Sequence, residues 1–147
     1  MNSVFLFMLL LVSLSDIRFR KIPDQYILIM GITGIVSIPF FLEISIMSRI
    51  IGALCISLPL LLLCVIWPGS FGGGDIKLMA VSGFYLGWKG IVAAFLTGVL
   101  FAGVYSLVMI CFGKKERRTE FALGPFLCGG IVIAMFWGES VFSWFIN

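Results

Sequence analysis

Six apolar stretches joined by short polar turns leave this chain one kind of fold. They run at about Met1–Ser15, Gln25–Leu42, Ser48–Trp67, Gly74–Trp88, Gly90–Phe112 and Phe121–Phe145. A straight helical crossing of a bilayer takes about 20 residues, and most of the stretches approach or exceed that. Of all residues 61% are hydrophobic and 12% charged, against roughly half and a quarter in soluble domains. The expectation is an all-α, polytopic membrane protein with about six transmembrane helices. Residues 1–147 are read as a single integral-membrane domain, with no room for a soluble domain beside it. The first stretch lacks the basic start and small-residue cleavage site of a signal peptide, and is read as a helix that stays.

Basic residues set the orientation. The first, third and fifth turns with their flanks hold Arg18, Arg20, Lys21, Lys77, Lys114, Lys115, Arg117 and Arg118, while the other side holds Arg49 and Lys89. Positive charge collects on the cytoplasmic side, so both termini are expected outside. The same distribution explains the net charge of +3 without nucleic acid.

Two acids stand at the ends of the short stretches, the first and the fourth, each about 22 Å long at 1.5 Å per residue. Asp16 follows the first stretch, and Asp75 opens the fourth after Gly72-Gly73-Gly74. Both fall on the cytoplasmic side. An ionisable residue at the mouth of an apolar segment is by default a functional candidate. Two carboxylates held together do not both ionise easily and titrate as a pair. The ionised partner can take a proton from water, and the protonated one can donate to a carbonyl or a leaving amine. Glycines before Asp75 leave room for another backbone to approach. The chain has no histidine, which removes Ser-His, Cys-His and His-zinc chemistry. No metal or cofactor is expected. Cys55, Cys64, Cys111 and Cys128 show no CxxC spacing and read as reduced packing residues.

Other residues near the acids have plainer readings. Asp24 after Pro23 reads as a helix cap or a solvated turn residue. Lys77, two residues past Asp75, points elsewhere on a helix and reads as reaching the interface. The residues alone leave two readings of Asp16 and Asp75 open: a catalytic pair, or helix-end residues that cap or pair with Arg18 and Lys77.

Gly72-Gly73-Gly74-Asp75 resembles the GxGD signature of intramembrane aspartyl proteases, and with Ile76-Lys77-Leu78 it looks like the form found in type IV prepilin peptidases. Asp16-Ile17-Arg18-Phe19-Arg20-Lys21-Ile22-Pro23 is similar to that family's other acid motif, and Phe121-Ala122-Leu123-Gly124-Pro125-Phe126-Leu127 to its Gly-Pro-Phe segment. The resemblance implies an aspartic endopeptidase of the bacterial inner membrane that removes the leader of prepilins or pilin-like proteins at the cytoplasmic face. Asp16 and Asp75 carry over as the catalytic pair, and Gly72 and Gly74 as motif glycines. Gly124 and Pro125 carry over in a structural or substrate-contact role. Larger members carry a cytoplasmic domain with paired CxxC motifs, associated with methylating the new N-terminus. This sequence lacks such pairs and looks like the small, peptidase-only form. The competing expectations are a proton- or cation-coupled transporter subunit and a non-enzymatic component of a pilus or secretion assembly.

Overall fold

A computed structural model describes residues 2–19, 22–40, 43–68, 72–112 and 123–146. Among these residues all regular structure is helical: α1 Asn2–Phe19, α2 Asp24–Val36, α3 Ile46–Cys55, α4 Ser57–Ile66, α5 Gly73–Cys111 and α6 Gly124–Ile146. Asn2–Phe19, Ile46–Ile66 and Gly73–Cys111 are each long and apolar enough to cross a membrane. Shorter apolar helices cover Asp24–Val36 and Gly124–Gly138. The protein is an all-α, multi-pass membrane protein.

The third expected crossing is one course with a break at Ile56, between α3 and α4. Pro59 accounts for it. Proline has no N–H for the carbonyl four residues back, and its ring crowds that carbonyl. Beside the break, the side chain of Ser57 donates to the carbonyl of Ala53.

The fourth and fifth crossings are the two arms of α5, which part at Gly87 with φ 76° and ψ 176°. A side chain there would be strained, and a Cβ would also press on Ser48 Oγ at 2.8 Å. The chain reverses at this point, as the partners along α6 show. Trp88 meets Phe142 edge-on at 5.2 Å between centroids, and Tyr105 meets Phe126 at 5.3 Å. The second arm is therefore antiparallel to α6 and returns to the end from which the first arm set out.

Helix contacts are close because small residues line them. A Cβ on Gly52 of α3 would stand 2.7 Å from the carbonyl carbon of Gly87. Without hydrophobic drive between helices in lipid, such close packing and buried hydrogen bonds carry the association.

Arg49 changes the charge count made from the sequence. It is not a surface charge but wholly buried at 0% exposure. Its Nη1 donates to Ser37 Oγ at 2.9 Å and to the carbonyls of Phe84 and Tyr85 at 3.2 and 3.5 Å. Those carbonyls end the first arm of α5, where the break removes their helical partners. Only Lys89 of that pair remains at the surface, so the asymmetry grows. Arg20, Lys21, Lys114, Lys115, Arg117 and Arg118, with Phe71, Phe121 and Ala122 of the motifs, lie outside the described residues.

Candidate active site

Asp16 reaches the interior because of the helix face it stands on. Phe5, Leu9 and Val12 form the buried stripe of α1, at 0%, 1% and 0% exposure. Residues three and four apart share a face, so the next position on that stripe is Asp16, at 8% exposure. The acid was expected in the connecting turn; α1 instead runs on to Phe19 and holds it. Asp75 reaches the interior in the same way. It leads the stripe Asp75, Leu78, Met79 and Ser82, all buried.

Both stripes belong to one buried core, and their acids fall at the same end of the bundle. The carboxylates of Asp16 and Asp75 lie within electrostatic reach of each other. Each also answers a helix N-terminus. Asp16 accepts the backbone N–H of Gly124, the first residue of α6. Asp75 accepts the backbone N–H of Gly72, the N-cap of its own helix. This is the return half of a capping box, the third helical residue closing on the cap. Unpaired N–H groups and the positive end of the macrodipole make both termini favourable for negative charge. Asp75 is thus a cap as well as a member of the pair. Its Oδ1 is buried without a hydrogen-bond partner among the described residues.

Among the described residues, neither Arg18 nor Lys77 pairs with these acids. Lys77 Nζ bonds Asp24 Oδ1 at 2.7 Å, with the two side chains 55% and 74% exposed. Arg18 lies over the ring of Phe19, 5.8 Å from its centroid. Asp24 is exposed as expected but is not a cap. Pro23 holds the N-cap position of α2 without a side-chain bond, and Asp24 is the first helical residue.

The glycines have separate tasks. Gly124 must be bare, because a Cβ there would overlap the Asp16 carboxylate. Pro125 is the second residue of α6, where its missing N–H is no loss. Gly74 was expected to admit a substrate backbone, but the space beside it is filled: a Cβ would stand 2.9 Å from Ile22 Cβ. At Gly72 a Cβ would stand 3.2 Å from Asp75 Oδ2. Gly73 is the open one, with nothing within 4 Å of a Cβ.

Cys128, read from the sequence as a packing residue, is packed in the apolar core beside the acids. It lies one turn beyond Gly124 on the same face of α6, is 4% exposed, and stands within electrostatic reach of both carboxylates. The spacing of four from Gly124 was the signal for that position.

The chain resembles known proteins along most of its length. The model of the type IV leader peptidase family matches residues 3–107, which include both acids but not Gly124 and Pro125. A prepilin leader peptidase/N-methyltransferase of Bacillus subtilis (strain 168) is 31% identical over 151 residues, covering 98% of this chain and 58% of that protein. One from Stutzerimonas stutzeri is 28% identical over 138 residues, covering 90% and 48%. One from Legionella pneumophila is 38% identical over 76 residues, covering 52% and 26%. The chain thus spans about half the length of such relatives, or less. No solved structure gives a significant match. Two acids on facing helices and a family match that includes them both make this chain a member of the type IV leader peptidase family.

Proposed function

We propose that the chain is an aspartic endopeptidase of the bacterial inner membrane. It removes the leader peptide of type IV prepilins or pilin-like proteins at the cytoplasmic face. The observation that carries this reading is that two buried carboxylates lie within electrostatic reach of each other, Asp75 at the N-terminus of α5 and Asp16 at that of α6. The names of the similar proteins supply the substrate class. Those names also include N-methyltransferase. This sequence has no CxxC pair, and the peptidase half is the half proposed.

The pair works by sharing a proton. The ionised carboxylate takes a proton from water as the oxygen attacks the scissile carbonyl. The protonated one gives its proton to the carbonyl oxygen. As the tetrahedral intermediate collapses, the first carboxyl passes water's proton to the leaving amine, and a hydroxyl of the intermediate returns a proton to the second. Helix N-termini at both acids stabilise the single negative charge. Gly73 offers the open backbone past which a peptide can lie. Arg18 and Lys77 stand at this end and Lys89 at the other, which supports a cytoplasmic site.

The test is co-expression with a candidate prepilin. Wild type yields the leader-cleaved product and Asp75→Asn does not. Equal processing by Asp75→Asn at matched protein level would refute the assignment.

A further inference from the structure

The end of the bundle opposite the acids holds a feature that proteolysis leaves unused. A cavity of about 600 Å³ opens there, with Glu43, Ser48, Tyr85, Trp88, Lys89 and Trp137 in its wall. Twelve residues separate Asp75 from Gly87, about 18 Å of helix, so the cavity lies toward the opposite membrane face from the acids. Two helix breaks adjoin it. Residues flanking Gly87 line one side, and Trp137, where α6 departs from helical geometry at φ −131° and ψ 22°, lines another. Irregular backbone at membrane depth is tolerated where it is buried in protein or faces a polar cavity.

The cavity wall brings together opposite charges and apolar rings. Glu43 precedes α3, and Lys89 opens the second arm of α5. Both are exposed, and they are not paired with each other. Lys89 Nζ lies 5.9 Å from the centroid of Trp88. Tryptophans at this level belong to the headgroup zone. The first arm of α5, Gly73 to Leu86, covers only about 21 Å. That is shorter than a typical hydrocarbon core of about 30 Å, so headgroups are drawn inward beside it.

We propose that this cavity binds the headgroup of a zwitterionic phospholipid, its phosphate against Lys89 and its ammonium against Glu43. The acyl chains leave past Met135 and Phe136, which also line the opening. One charge of each sign favours a zwitterion. A lipid of net negative charge satisfies Lys89 but brings no cation to Glu43.

Native mass spectrometry of the full chain in detergent tests this, with phosphatidylethanolamine and phosphatidylglycerol supplied in equal amounts. Wild type is expected to retain one phosphatidylethanolamine and to prefer it about tenfold. Glu43→Gln and Lys89→Gln should each cut retention about tenfold, the effect of one lost charge-assisted contact. Both side chains are exposed, so the variants should keep the wild-type melting temperature. Gly138→Leu offers an independent check. Gly138 lines the cavity, and a Cβ there has ordinary clearance, 3.7 Å from Gly90 Cα. That variant should lose the lipid with both charges intact. Equal retention of phosphatidylglycerol would overturn the proposal. So would undiminished lipid binding by the charge variants, or displacement of the lipid by free phosphoethanolamine at equal concentration. None of these readouts depends on proteolysis.

Discussion

Asp75 has two tasks in one carboxylate. It closes the cap of α5 through Gly72, and its Oδ1, without a partner among the described residues, is the oxygen left for the proposed chemistry. Asparagine retains an acceptor oxygen for the cap but cannot pass a proton. Asp16→Asn and Asp75→Asn are therefore each expected to abolish cleavage while the protein still folds and inserts. The double variant should be hardly worse than either single one, because the acids act as a unit. Product formation by purified variants of verified folding is the measurement, and near-wild-type turnover by Asp16→Asn would sink the paired mechanism. The cleavage rate of wild type should be bell-shaped in pH, as for two groups sharing a proton. Gly124→Val is a harsher probe of the same geometry. Its side chain would overlap the Asp16 carboxylate, and a displacement of about 1 Å can cost about 100-fold in rate. Turnover by this variant should fall at least that far with helicity by circular dichroism unchanged.

At the level of elements, the break in α5 and the arginine beside it act together. Gly87 lets the chain turn back, and Arg49 satisfies the carbonyls that the turn leaves without helical partners. Replacing a buried hydrogen-bonded cation by an apolar group strands those carbonyls, at about 1–3 kcal/mol for each group left unsatisfied. Arg49→Met should thus lower the melting temperature in detergent clearly. The Asp24–Lys77 pair is an opposite case. It is exposed, and such pairs contribute about 0–1 kcal/mol. Asp24→Asn and Lys77→Ala should melt within a few degrees of wild type and keep most of their cleavage activity. A loss as large as that of Asp75→Asn would move Lys77 into the machinery.

Across the described residues, the helices place the acids at one end of the molecule and Lys89 at the other. Single cysteines in a cysteine-free background report which end faces the cell exterior. Lys89→Cys is expected to react with an impermeant thiol reagent on intact cells, and Asp24→Cys only after the cells are opened. The reverse pattern would invert the topology and place the acids outside.

The apolar stretches, the turns between them and both acids were legible from the residues, because a bilayer demands long apolar helices and makes charge within them rare. The i, i+3, i+4 spacing of Phe5, Leu9, Val12 and Asp16 even held the burial of the first acid, though its helix ended too early in that reading. Local rules could not say which groups meet across helices. That Asp16 caps α6, that Lys77 turns to Asp24, that Ile22 fills the space at Gly74 and that Arg49 is interior all depend on partners distant in the chain. A side chain's propensity and period tell which face it occupies. Only close packing of several helices decides what lies opposite that face, and that is what separates a cap from a catalytic pair and a loop charge from a buried one.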